Sequence, residues 1–264
     1  MQGMLKSLWA YRGFISSSVS NELITRFARS RLGGMWMIIN PLAQAGIYAL
    51  VLSSVLSSRL PGIDNKYAYS LYLLSGMLAW TLFSEILTRC LTLFIDNGAL
   101  IKKVNFPKVT LPAILVGSAL LNNAFLVVAT LVIFIAVGHD LAPVMLMLVP
   151  LSLCVVAFAT GLGLILGIMN VFVRDLGQVV PIVLQIGFWL TPVVYPIQVV
   201  PEAVQSLIRR NPMYHVVAAY QDVLAFSKMP DLSHLASLMV ASLLLLMVGL
   251  FMFRRASPEV VDHL

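Results

Sequence analysis

The chain has 264 residues, 60% of them hydrophobic and only 11% charged, with 17 lysines and arginines against 11 acids for a formal net charge of +6. That charged fraction is roughly half what a soluble domain carries, which excludes an ordinary water-solvated globule and makes lipid the expected solvent. The basic excess suits membrane orientation and attraction to anionic lipid, and nothing in it points to nucleic acid.

Six apolar runs approach or exceed the length that crosses a bilayer, about 20 residues at 1.5 Å each. They cover about 35–56, 71–94, 111–137, 144–173, 179–195 and 235–253. The first 34 residues hold five basic side chains and no apolar core followed by a small-residue cleavage site, so no signal peptide is expected there. With a cytoplasmic N-terminus, that side collects twelve basic residues: Lys6, Arg12, Arg26, Arg29, Arg31, Arg89, Lys102, Lys103, Lys108, Arg174, Arg254 and Arg255. The other side holds five, Arg59, Lys66, Arg209, Arg210 and Lys228, so both termini are expected in the cytoplasm. Cys90 and Cys154 sit in spans and read as packing residues.

Before the first run, "SNELITRFARSRL" sets Leu23, Ile24, Phe27 and Ala28 on one helical face and Glu22, Arg26 and Arg29 on the other, with Ser20 or Asn21 as cap. Such a helix lies in the interface, either as a lipid anchor or as a surface for a partner. Span two ends with Glu85 and Arg89, spaced i and i+4 in the order that favours a helical ion pair. Next, "DNGALIKKVNFPKVT" brackets a short helix between breakers, a cytoplasmic knob. Positive-inside bias accounts for Lys102, Lys103 and Lys108 but not for apolar Leu100, Ile101 and Phe106, which favour a protein contact.

Span four repeats small residues at Ala159, Gly163 and Gly167, a ridge that lets helices approach closely. The loop after it holds adjacent Arg174 and Asp175, either an interfacial salt bridge or a second partner contact. Span five closes on "FWLTPVVYP", where Pro192 cannot donate to the helix ladder, so a break is expected around 187–190. Beyond it, "VPEAVQSLIRR" and "NPMYHVVAAYQDVLAF" read as two short helices, with Pro201 and Pro212 at their starts and Asn211 as a cap. Met213, Val216, Val217, Tyr220, Val223 and Leu224 share one face, which suggests a re-entrant or outer-interface hairpin.

Several chemistries lack their residues: the chain has no GxxxxGK[ST] phosphate loop, no HExxH, no GxSxG and no cluster of carboxylates within the spans. Its spans carry uncharged Asn40, Gln44, Asn122, Asn123, Gln185 and Thr191, which suit either interhelical hydrogen bonds or a hydrated path for a hydroxyl-rich cargo. Trp36, Tyr67, Tyr69 and Tyr72 read as an interfacial belt, whereas Tyr48, Phe125, Phe188 and Trp189 lie nearer span interiors. The residues expected along a path are therefore Tyr48, Asn122, Gln185, Phe188, Trp189, Thr191 and Tyr195.

The amphipathic helix followed by "GGMWMIINPL", then "LIKKVNFPK", "VRDLGQ", "FWLTPVVYP" and "NPMYHVV" in this order resembles type-2 ABC transporter permeases, and within them the polysaccharide-export branch, O-antigen export permeases above all. The resemblance covers nearly the whole chain. It implies one all-α membrane domain over 1–264, with an interface region at 1–34, a six-span bundle at 35–253 and a cytoplasmic tail at 254–264. It further implies a homodimer in the bacterial inner membrane driven by two copies of a separate ATPase, which would bind ATP and Mg, while this chain holds no cofactor or metal and is no enzyme by itself. By the same resemblance, the helix with Glu22, Arg26 and Arg29 and the loop with Leu100, Lys102, Lys103 and Phe106 dock on the ATPase, as Arg174 and Asp175 would. The outer gate would comprise Pro201, Arg209, Arg210, Asn211, Pro212 and Tyr214, and Arg26, Arg29 and Arg31 are candidates for the pyrophosphate of a lipid-linked polysaccharide. Capsule, teichoic-acid, drug or lipid export remain open alternatives, as does an enzyme of lipid-linked sugars.

Overall fold

The structure, a computed structural model, describes residues 2–27, 32–36, 38–39, 42–43, 47, 68–103 and 106–263. Every regular element among them is helical. In chain order these are α1 (Gln2–Ala10), α2 (Arg12–Phe27), α3 (Ala68–Asp96), α4 (Gly98–Lys103), α5 (Thr110–Ala136), α6 (Leu148–Phe172), α7 (Leu176–Leu190), α8 (Glu202–Ile208), α9 (Pro212–Leu224) and α10 (Leu232–His263). A 3-10 turn at Pro143–Met147 extends α6 at its start. Four segments are long and apolar enough to cross a bilayer: Ala68–Asp96, Thr110–Ala136, Pro143–Phe172 and Leu232–Ala256. The chain is a multi-pass helical membrane protein. The expected span at 35–56 lies almost wholly outside the described residues.

Polarity is inverted relative to a soluble bundle. On α5, Leu121, Phe125, Val128, Val132 and Ile135 are exposed along one stripe, while Ser118, Asn122, Asn123 and Thr130 are buried. In water this arrangement would expose the wrong face; in lipid it is the stable one, since polar groups find partners only inside the bundle. Asn123 does so by donating to the Leu78 carbonyl at 3.1 Å.

Helix α3 forms the axis of the fold. It packs on α5, α6 and α9, and most of its side chains are buried. The expected small-residue ridge of α6 meets α3: a Cβ on Gly163 or Gly167 would collide with the Cys90 side chain or its carbonyl. A second close approach joins α6 to α10, where a Cβ on Gly161 would come within 2.6 Å of the Leu245 carbonyl carbon. Cys90 and Cys154 are both buried within this packing.

Two expectations change. Ser20 and Asn21 do not cap a helix; α2 begins at Arg12 and carries both in its middle, because half-buried Ile15 and Leu23 flank buried Val19 and continue the apolar stripe upstream through the serines. Glu22, expected on the polar outer face, instead turns inward to Arg89. The fifth run gives α7, which begins earlier and ends five residues sooner than the apolar pattern suggests.

Gly167→Leu is expected to cost about 1–3 kcal/mol or more by overpacking the α3–α6 contact. Gly13, with nothing within 4 Å of its missing Cβ, is a matched control: Gly13→Ala should stabilise. Thermal unfolding of the detergent-purified protein checks both.

Candidate functional site

Helix α7 has 15 residues, roughly 22 Å, short of the ~30 Å hydrocarbon core. It stops at Leu190 because Thr191 precedes Pro192, and the residue before a proline is driven out of the helical region. Thr191 is indeed extended, with φ −107° and ψ 129°. Thr191, Val193 and Val194 are then fully buried, so the freed backbone polar groups need partners within the protein.

Neighbouring helices supply them. From α3, Tyr69 donates to the Val194 carbonyl at 2.6 Å, and Tyr72 lies 3.2 Å from the carbonyls of both Pro192 and Tyr195. From α9, the Gln221 amide donates to the Pro192 carbonyl at 3.0 Å. Gly76 makes the approach possible, since a Cβ there would lie 2.8 Å from that amide nitrogen. The Tyr195 hydroxyl reaches back to the Trp189 carbonyl at 2.6 Å. This clamp was missed in the sequence. Tyr69 and Tyr72 read as belt residues, and only the unsatisfied carbonyls after Pro192 could have called for donors on another helix.

The expected path residues fall into distinct environments. Gln185 and Trp189 are exposed on α7, and Phe188 is half-buried with its ring 5.8 Å from Trp80. Together with Met77 and Thr81 they border a cavity of about 300 Å³ between α3 and α7. Thr191 is placed elsewhere: at 0% exposure it accepts a hydrogen bond from Asn211 at 2.9 Å and faces no open surface. Asn122 is buried against Glu85, to which it donates at 2.7 Å. Tyr48 lies outside the described residues.

In the expected gate region, Pro201 precedes α8, and Arg209 and Arg210 form the turn before α9. Asn211 caps α9, its Oδ1 accepting from the Met213 N–H at 3.0 Å, and Pro212 takes the first helical position as expected. The predicted apolar face of α9, Met213 through Leu224, is buried as a unit. Tyr214 packs edge-on against His215, and His215 stacks on His234 with ring centroids 5.0 Å apart. Hydrogen bonds from Ser233 and then His234 hold the Asp231 carboxyl below its ordinary range, while burial raises that of Asp222.

The opposite end of the bundle, expected to be cytoplasmic, gathers the expected docking residues that are described. The ring pair Phe94–Phe253 and the bond from Asn170 to the Leu91 carbonyl bring the ends of α3, α6 and α10 together. On α4, Ile101 is buried and Leu100 and Lys102 are exposed; Phe106 packs on Phe14 at 6.4 Å. Arg174 and Asp175 are exposed in the turn before α7. The side chains of Arg26 and Lys103, and all of Arg29 and Arg31, lie outside the described residues.

A multi-pass helical bundle with a short amphipathic N-terminal helix packed on it and one apolar helix broken before a proline is the architecture in hand. The chain belongs to the ABC-2 type transporter family, whose pattern matches residues 15–225. It is 28% identical over 263 residues to the O-antigen export system permease protein RfbA of Myxococcus xanthus, covering 99% of each chain. Over 237 residues and 89% of each chain it is 26% identical to the RfbA of Klebsiella pneumoniae. The polysialic acid transport protein KpsM of Escherichia coli is 24% identical over 234 residues, 88% of this chain and 89% of its own.

Tyr72→Phe combined with Gln221→Leu leaves the buried Pro192 carbonyl without a donor, expected to cost about 1–3 kcal/mol. The double variant should melt earlier than either single, and hydrogen exchange should localise the loosening to 191–200.

Proposed function

We propose that the chain is the membrane-spanning permease of an ATP-driven exporter of lipid-linked polysaccharide in the bacterial inner membrane, with six spans and both termini cytoplasmic. It is a transport subunit, and ATP and Mg are held by a separate ATPase. The observation that carries this reading is α7: only Val180 on it is buried, while Val179, Ile182, Val183, Gln185, Ile186 and Trp189 are exposed. A polar amide and large rings on a helix so little covered fit a channel wall between two copies of the chain, where a sugar's C–H face packs on rings and its hydroxyls meet amides. The names of the relatives, export systems for O-antigen and polysialic acid, supply the cargo class. A capsule polymer is the second reading, favoured by the latter relative.

The docking surface comprises α2 and the α4 knob, with Arg174 and Asp175 beside them; Arg26, Arg29 and Arg31 take the pyrophosphate end. Helices α8 and α9 form the outer gate as a re-entrant pair.

Reconstitution with the partner ATPase tests the reading. The chain alone should hydrolyse no ATP, and the complex should move lipid-linked glycan across proteoliposomes. Gln185→Cys and Phe188→Cys should react with a water-soluble thiol reagent, and Trp189→Ala should lower export about tenfold or more while assembly persists. Protection of both cysteines with normal export by Trp189→Ala rejects the channel wall.

The knob gives a paired test. Leu100→Asp should weaken ATPase binding about tenfold or more, because it places a charge at an exposed apolar contact. Ile101→Asp should instead reduce folded protein, because it buries that charge. Pull-down and folded yield separate the two outcomes.

A further inference from the structure

Three helices meet at one charged point near the cytoplasmic end. Arg89 of α3 donates through Nη2 to Oε1 of Glu22 on α2, and through Nη1 to Ser118 Oγ on α5 at 2.8 Å. The Ser118 hydroxyl donates to the other Glu22 oxygen at 3.0 Å, closing a ring of hydrogen bonds across the three elements. A second arm extends it: Arg89 lies 3.6 Å from Glu85, which accepts from Asn122 of α5. The side chains are 23% exposed at Arg89 and 32% at Glu22, so the pair is more shielded than a fully exposed surface ion pair. Beside the ring, Val19 of α2 fits against Gly117 of α5, where a Cβ would stand 3.1 Å from a Val19 methyl.

We infer that the Glu22–Arg89–Ser118 ring is a mechanical strut that makes α2 a rigid extension of α3 and α5, so that displacement of α2 by the ATPase carries the inner halves of both spans with it. The inference rests on the export function proposed above. Apolar helix contacts in lipid are non-directional and can slide, whereas Arg89 bonds two discrete partners on two helices, and parting them leaves partly shielded charges without a counter-charge. The neighbouring knob differs. A cavity of about 400 Å³ lies between Leu100 of α4 and the ring, with Glu22 and Arg89 on its wall, so α4 makes no direct closure on the ring as α2 does. Arg89 is also shared by two carboxylates, which makes it a positioning residue rather than an anion site.

The assembled complex with its ATPase provides the test, with wild-type export as the reference: absence of export there defeats the exporter reading itself. Given wild-type export, Ser118→Ala, which opens the ring at a residue outside the docking surface, should keep assembly and ATP hydrolysis while glycan moved per ATP falls several-fold. Glu22→Arg and Arg89→Glu should each lose export, and the exchanged pair should recover part of it, since Glu85 then faces a second carboxylate in place of the guanidinium. A purely structural role would lower assembly, hydrolysis and export in proportion, and that result overturns the strut. Should the charge variants fail to insert, a disulfide across Val19→Cys and Gly117→Cys decides: export unchanged on oxidation supports rigid coupling, and export lost on oxidation and restored by reductant shows a sliding contact and rejects it.

Discussion

Lipid offers no water to an unpaired backbone group, and the end of the bundle that holds Pro192 is arranged around that constraint. Once Pro192 ends α7, the carbonyls from Trp189 to Tyr195 need donors, and they draw them from Tyr69, Tyr72, Tyr195 and Gln221. Three of those four donors belong to other helices. The break therefore cannot move independently of α3 and α9, and a proline that would merely loosen a soluble helix here ties three elements together.

Charge at the inner end follows the same rule with larger stakes. Glu85, Arg89 and Glu22 sit where an isolated ion would be costly, and each is paired across or along a helix. Two carboxylates beside one guanidinium offset the Arg89 charge within the protein. The short arm from Asn122 to Glu85 shows why a span amide need not face a path: its donor satisfies a carboxylate that would otherwise be stranded.

Much of the fold was legible because lipid enforces long apolar runs, and four of the six expected runs coincide with spanning helices to within a few residues. The end of α7, the cap at Asn211 and the buried face of α9 were legible too, since proline geometry, capping and helical periodicity are local. What escaped depends on distant partners. No local rule places Glu22 against Arg89, 67 residues away, so its polar character read as solvent exposure. Tyr72 read as belt for the same reason, because its acceptor lies 120 residues downstream. Thr191 looked like a path residue by position and polarity, but the cap at Asn211 uses its hydroxyl.

Both ends converge on one helix. The clamp tyrosines and the strut arginine are all borne by α3, with Tyr72 and Arg89 about 25 Å apart along its axis. Between them the helix is buried against α5, α6 and α9, and the glycine contacts at Cys90 leave no slack on the α6 side. A segment packed this closely responds to load at one end by tilting or shifting as a unit rather than by bending locally. Arg89 at one end of this helix bonds α2, and Tyr69 and Tyr72 at the other hold the carbonyls of the broken segment through their hydroxyls. The segment after Pro192 is thereby linked to α2 through a single closely packed helix, with hydrogen-bonded joints at each end.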